Sequence, residues 1–545
     1  MNASPINYFV AILLISIFMA LPVCAESDGV KAPVDEVLAE EEPLQEAKFN
    51  IWEYRIEGNT LLDNKEIERA VYGFLGPDKS IADVERARTS LEEAYRNQGY
   101  GTVLVDIPEQ NVDSGIVRLN VTQAVVGRVK VTGSRYFSNR WIKQQVPSLQ
   151  EGEVPDINEV QKDLAMLNTR SNDRGITPIL RPGKGPGEVE MELKVNDKLP
   201  IGYSLELNDR NTADTTDLRF NASLSFNNLW QREHSATLSY QTSPKDTDEV
   251  EVWVANYIYK PERSNNLVLL YAVDSDSDVA TVGGIGVLGN GRIYGTRFIH
   301  PMNPSGDIYH SLIAGFDYKD FEDSVLLSGI ETDEIATEID YGTFALNYTG
   351  AYLGTASPTE FNFGINFGVR GFFNNEKEFE QKRTGADPNF WKLTGQLDRR
   401  FDLFESGFGL NTRISGQFAG EPLISNEQFA MGGADTVRGY FEADVLVDQG
   451  FIGSAEIESP LFFQEYFDLV NYLQWFTFLD YSTGRIREAL PDQDDTFDLM
   501  GIGAGLRFTL WHQLDASFAW ARPLKSTNST EKDDDRMVFS VKYQH

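Results

Sequence analysis

From residue 198 to the C-terminus, apolar and polar positions alternate with a period of two. Phe361, Phe363, Ile365, Phe367 and Val369 are interleaved with Asn362, Gly364, Asn366 and Gly368. Phe408, Leu410, Thr412 and Ile414 alternate with Gly409, Asn411, Arg413 and Ser415, and Leu218 to Phe226, Leu514 to Trp520 and Met537 to Tyr543 follow the same rule. A period of two with one apolar face predicts strands. A soluble sandwich facing its own core is the alternative for such a sheet. Three features favour a membrane barrel. The segments approach the roughly 9–11 residues that a tilted membrane strand needs, and the polar face is small and hydrophilic, as a wet lumen requires. Short turns such as Asn227-Asn228 also alternate with long acidic loops, Ser243–Glu249 and Asn374–Asp387. In lipid every backbone group must be paired internally, so the sheet has to close. About 350 residues at roughly 20–22 per strand and loop predict about 16 strands, wide enough for an aqueous channel.

Before residue 198 the period changes to that of helices. Trp52, Tyr54 and Ile56 alternate as a strand ending at Gly58-Asn59. Asp63 then caps a helix, with Glu66 in the capping-box position and Ile67, Val71 and Phe74 on its buried face. A second helix carries Val84, Ala87, Leu91 and Tyr95 and stops at Gly99. The strands Val103/Val105/Ile107 and Val117/Leu119/Val121 complete a β-α-α-β-β unit. The unit recurs: Val129 and Val131 precede Gly133, Asp156 and Glu159 form a second capping box, and Val160, Leu164 and Leu167 make the helix stripe. Gly175 ends that helix and Val189 to Val195 closes the unit. Gly58 to Gly133 and Gly99 to Gly175 are both separated by about 75 residues, the mark of an internal repeat.

Composition narrows the reading. The 545 residues are 41% hydrophobic, too few for a bundle of membrane helices, while 34 Phe and 22 Tyr suit barrel strands. The one long apolar run, Tyr8 to Ala25, reads as a signal peptide with Val23 and Ala25 before the cleavage point, although its n-region has no Lys or Arg. An N-terminal transmembrane anchor is the alternative, and the run is short for a span. Cys24 is the only cysteine, so cleavage would leave no thiol, disulfide or thiolate metal site. A net charge of −35, from 48 basic and 83 acidic residues, argues against nucleic acid as a partner.

A tandem β-α-α-β-β unit of this size resembles the POTRA domain, and GNTLLDNKEIERAV and LEEAYRNQGYGTVLVDIP are similar to POTRA domains of two-partner secretion transporters. In the barrel, QFAMGGADTVRGY (428–440) carries Val437, Arg438, Gly439 and Tyr440, which resemble the VRGY motif of polypeptide-transporting barrels. Phe478-Leu479-Asp480 matches their Phe-x-Asp motif about 40 residues later. HSLIAGFDYKDF, SAEIESPL and GIGAGLRF followed by FAWARPL are similar to segments of the TpsB family, the haemolysin secretion and activation proteins. The resemblance implies a lumen loop bearing Arg438, held by Asp480 on an inward strand face. A guanidinium in a narrow pore needs a carboxylate partner, and such a charge-assisted bond pins a loop while remaining breakable.

The resulting division is a signal peptide (1–25), an acidic segment (26–48), two POTRA-like domains (49–123 and 124–197) and a transmembrane antiparallel β-barrel (198–545). Two departures from the family stand out. The segment 26–48 is short and acidic where members commonly carry a plug helix, and the chain ends Tyr543-Gln544-His545 instead of directly in an aromatic. The resemblance implies an outer-membrane transporter with periplasmic N-terminal domains, monomeric among lipid and lipopolysaccharide, that moves a partner exoprotein. A barrel-assembly insertase and a passive porin are the rivals. No enzyme, cofactor or metal site is expected. Gly183–Gly187 lacks the strand–helix context of a phosphate loop, and Gly501-Ile502-Gly503-Ala504-Gly505 lies in a strand, where glycine permits curvature or close approach. Asp274, Asp276 and Asp278 lack the glycine and bidentate glutamate of a calcium loop. The five histidines show no ligand spacing.

Overall fold

Residues 48–545 are described by a computed structural model, apart from 263, 278, 283–284, 325–335, 355–356, 404–406, 463–469 and 492. The expected signal peptide and nearly all of the acidic segment lie outside the described residues. The chain divides into two units, one ending at Leu199 and the other running from Pro200 to His545.

In the front unit the apolar stripes become two small cores. The first copy comprises β1 (Phe49–Ile51), β2 (Glu53–Glu57), α1 (Asn64–Val71), β3 (Gly76–Lys79), α2 (Ile81–Asn97), β4 (Val103–Asp106) and β5 (Ile116–Gln123). The second comprises β6 (Val125–Thr132), α3 (Asn139–Gln144), α4 (Ile157–Thr169), β7 (Arg174–Pro182) and β8 (Glu188–Asp197). Their sheets have the same order, β2-β5-β4 and β6-β8-β7, with the first strand parallel to the last. Val84, Ala87, Leu91 and Tyr95 of α2 and Val160, Leu164 and Leu167 of α4 are all buried on those sheets. Gly58 and Gly133 are true equivalents, with φ of +86° and +83°. A Cβ at either would come within 2.4 Å of Val121 O or 2.3 Å of Val195 O, so both strand ends require glycine.

Several local expectations change. Trp52 is not a strand position but an exposed kink between β1 and β2, its N–H donating to Gly115 O, and Ile51 takes the core site. Asp63 occupies the N-cap of α1 without a side-chain cap bond, and Glu66 instead accepts from Gln98 Nε2 at 2.6 Å. The reciprocal cap belongs to α2, where Asp83 accepts from Ser80 N–H at 2.9 Å. That bond, with the Arg86 guanidinium, pulls the Asp83 carboxyl down to about 2. Asp156 does cap α4, whereas Glu159 turns to Lys162. Gly175 ends no helix: α4 stops at Thr169, and Gly175 pairs with Asn196 inside the sheet.

In the second unit, sixteen described strands close into an antiparallel barrel, from Ile201–Asn208 to Arg536–Gln544, which pair with each other to shut it. Leu218 and Val369 fall one residue outside their strands. Asn227-Asn228 lies within the strand Arg219–Leu229. The turn follows at 230–233, where Trp230, Gln231 and Glu233 adopt positive φ. The expected long acidic loop Asn374–Asp387 contains α5 (Glu376–Lys382) and buries Phe379 and Ala386. The inner face is not polar throughout either. On Glu251–Tyr259 both faces are apolar: Trp253 and Tyr259 are exposed on the outer face, Val252 and Val254 buried on the inner one. These valines join Phe321, Ile339, Tyr341, Phe379 and Phe390 in an apolar cluster.

Candidate functional site

The strand Val470–Arg485 displays the alternation that builds the site. Gln474, Phe476, Phe478, Asp480 and Ser482 are buried on one face, while Trp475, Leu479 and Tyr481 are exposed on the other. Its neighbours are Gln449–Glu458 and Thr496–Leu510. Their register sets Ser454 opposite Asp480, Glu456 opposite Phe478, and Gly501 and Gly503 opposite Asp480 and Phe478. The connection 420–448 folds inward from this wall. It carries a 3-10 turn (Ser425–Glu427) and a short hairpin, Phe429–Met431 with Val445–Val447, and Arg438 sits at its tip.

Arg438 is the centre of the polar network. Its Nε and Nη2 donate to the two carboxylate oxygens of Asp480 at 2.7 and 2.8 Å, the bidentate geometry that a fork of N–H groups favours. Its backbone N–H also reaches Asp480, at 3.1 Å. Asp480 is fully buried and takes a further bond from Ser454 Oγ at 2.6 Å. Nη1 donates to Glu456 at 2.5 Å, and the guanidinium carbon lies 3.5 Å from the Phe478 ring centroid. Glu456 then bridges to Arg507 at 2.6 Å, and Arg507 pairs with Glu458 at 2.9 Å and covers the Phe476 ring. Arg400 approaches Glu458 at 3.5 Å, so three guanidiniums face three carboxylates. Removing one of the buried members Arg438, Glu456 or Asp480 costs about 3–5 kcal/mol, because a charge is left unpaired.

The other motif residues hold the tip in place. Val437 is fully buried with Met431, Val447 and Leu499. Gly439 has φ +100°, and its backbone lies against Arg522 and Pro523. Tyr440 Oη lies 2.8 Å from the Lys525 carbonyl and accepts from Met500 N–H at 3.2 Å. Just before the motif, Asp435 receives a two-bond contact from Arg210, at 2.6 and 3.1 Å. The glycine run acquires a reason here. A Cβ at Gly501 would lie 2.1 Å from Arg438 O, and one at Gly503 2.4 Å from the Phe478 ring, so the loop reaches the wall only over glycine.

The structure therefore brings together all six residues singled out from the sequence, Val437, Arg438, Gly439, Tyr440, Phe478 and Asp480. Sequence reasoning missed Ser454, Glu456, Glu458 and Arg507. The signal for three of them was present, since alternation through SAEIESPL puts Ser454, Glu456 and Glu458 on one face. Charged residues on an inward strand face invite partners. Asp274 and Asp276, set aside as a calcium loop, are occupied by Arg292 at 3.3 Å and Asn290 at 2.8 Å.

Comparison with known proteins agrees with this geometry. Residues 49–124 match the POTRA domain of ShlB type, and residues 336–508 match the haemolysin secretion/activation protein family ShlB/FhaC/HecB. The Heme/hemopexin transporter protein HuxB of Haemophilus influenzae (strain 86-028NP) is 21% identical over 500 residues, covering 88% of this chain and 84% of that protein. The structure of CdiB from Escherichia coli superposes with a TM-score of 0.59 at 18% identity, over 94% of both chains. BamA from Haemophilus ducreyi lacking POTRA domains 1–3 superposes at 0.56 and 14% identity, over 91% of this chain and 100% of that one, a likeness of fold alone. The family match contains the lumen loop and most of the wall that anchors it. With its tandem β-α-α-β-β front end and closed sixteen-stranded barrel, this outer-membrane chain is similar, over residues 336–508, to the haemolysin secretion/activation (ShlB/FhaC/HecB) family of two-partner secretion transporters.

Proposed function

We propose that this protein carries a partner exoprotein across the outer membrane, and that the Arg438 network sets the resting position of the lumen loop during that cycle. The carrying observation is a loop whose tip is pinned inside a closed barrel by buried ion pairs to its wall, beside a small apolar cluster around Val437. Ion pairs with several alternative partners exchange readily once water enters, so the loop stays bistable. An arriving unfolded chain supplies both water and competing polar groups. The front repeats leave β4 and β7 at sheet edges, where an extended segment of the exoprotein adds as a further strand. The partner then folds outside, and that folding draws the rest through. The transporter works as a monomer surrounded by lipid and lipopolysaccharide, and it performs no covalent chemistry.

The test is Arg438→Ala. The variant inserts as a heat-modifiable barrel but exports the partner at a small fraction of the wild-type rate. Undiminished export rejects the role given to Arg438. Depletion of the protein separates transport from barrel assembly. Loss of one exoprotein from the medium supports transport, and a broad fall in outer-membrane proteins supports an insertase.

A further inference from the structure

A second buried ion pair lies outside the Arg438 network, at the opposite end of the same loop. Asp448 precedes the wall strand Gln449–Glu458, where the lumen loop returns to the barrel, and its carboxylate is fully buried. Arg383 Nη1 and Nη2 donate to its two oxygens at 2.6 and 2.7 Å. The backbone N–H groups of Leu423 and Arg487 donate to the same carboxylate at 2.9 and 2.7 Å. Arg383 also donates to the carbonyls of Leu423 and Arg487. One fork thus ties the connection 369–390 to the root of the lumen loop and to the connection that starts at Ile486.

All three connections lie on one side of the barrel. The first strand, Ile201–Asn208, is entered from the periplasmic domains, and strands alternate in direction, so connections after odd-numbered strands lie outside. Those starting at 369, 420 and 486 follow the ninth, eleventh and thirteenth strands. Arg383 is the C-cap of α5, whose Phe379 is buried against Tyr341 and Phe390, with Leu423 and Ile424 in the same cluster. The connection 369–390 is therefore seated on apolar ground and fastened at one end by charge. An exported chain leaving by the lumen would meet this cover.

We propose that residues 369–390 form a lid over the outer half of the lumen, and that the Arg383–Asp448 ion pair is its clasp. The assignment rests on the transport reading above but makes its own demand. The lid must leave the lumen for a polypeptide to pass, and while clasped it keeps the resting barrel closed to small solutes. Arg383 and Asp448 are positioning residues, acting through the lid and touching no substrate.

The test uses the full-length protein in cells and in planar phospholipid bilayers, with heat-modifiable mobility confirming a folded barrel. Arg383→Ala leaves Asp448 its backbone donors and is expected to raise conductance, and cell permeability to the bulky antibiotic vancomycin, by about tenfold or more. Arg383→Lys, which keeps the charge but not the fork, restores part of the closure. In a second arm Arg383→Cys and Asp448→Cys are joined by a short bis-methanethiosulfonate reagent, which forms a disulfide with each cysteine and releases methanesulfinate. Cys24 is the only native cysteine, so the barrel carries no competing thiol. Joining the two positions stops export, and reduction restores it. Wild-type permeability in folded Arg383→Ala, or full export with the lid joined, overturns the clasp. If the wild type exports no polypeptide, the transport reading fails, and the conductance arm alone still decides whether the lid is clasped.

Discussion

Around Arg438 the barrel interior is ionic, with three guanidiniums and three carboxylates on neighbouring strands and the loop tip. Around Phe379 and Tyr341 apolar packing predominates, with valines on the strand Glu251–Tyr259 meeting a helix from an outer connection and the Arg383–Asp448 and Glu427–Lys319 pairs bordering it. The two regions fill the same cylinder by different physics. Apolar packing is non-directional and tolerates exchange of similar volumes, whereas a forked ion pair depends on the identity and angle of each group. Apolar packing seats the outer connection that the Arg383–Asp448 fork fastens, and the Arg438 ion pairs hold the tip of the lumen loop. A polypeptide transporter needs both.

The contrast can be broken most severely at Asp480. Asp480→Ala leaves Arg438 buried with one carboxylate fewer and is expected to weaken loop docking by about 3–5 kcal/mol. Limited proteolysis within 428–448 then accelerates sharply and export collapses. Arg438→Lys keeps the charge but loses the fork, and most of the same loss is expected in an export assay. On the apolar side Phe379→Ala costs about 3 kcal/mol, read as a lower unfolding temperature and a leakier channel in bilayers. Phe379→Leu costs less than about 1.5 kcal/mol, and its channel stays closed. Equal sensitivity of both regions to conservative exchange would erase the distinction. Tyr341→Phe removes one bond, from the Tyr341 hydroxyl to Glu427, which keeps Lys319 and Lys392, so about 1 kcal/mol is expected in thermal unfolding.

The smallest effect lies outside the barrel, at the N-terminus of α2. Asp83 is held near 2, below the ordinary 3.8, by the Ser80 N–H and Arg86. A depressed carboxyl stabilises the fold above the ordinary value and loses that contribution as pH falls from about 4 through about 2. Helical circular dichroism should therefore show an acid loss in this window that Asp83→Asn removes.

The sequence exposed different parts of the molecule to different depths. Strict alternation made the barrel legible, because lipid on one side and water on the other enforce a period of two, and its strand number followed from the length of the alternating region. The buried faces of α2 and α4 were equally plain. The misplacements lie where no period operates. Gly175 stands near the expected end of a helix but belongs to β7, because α4 stops at Thr169 with Arg170 as its C-cap. Trp52 fits an apolar alternation that the kink between β1 and β2 interrupts. Asn374–Asp387 reads as a long acidic loop, yet it contains a short helix and buries Phe379 and Ala386. For the site, Arg438 and Asp480 were reached through motif resemblance. Glu456 and Arg507 were reachable only by asking which wall charges share the inner face. The Arg383–Asp448 contact, bridging 65 positions, has no local signature at all.

The most direct test places a photoreactive amino acid at Gln474 or at Trp475, neighbours on one strand that face inward and outward. Cells are irradiated during export. Passage through the lumen predicts cross-links to a secreted polypeptide from position 474 and none from 475. Cross-links from 475 alone, or from neither while export proceeds, would contradict it.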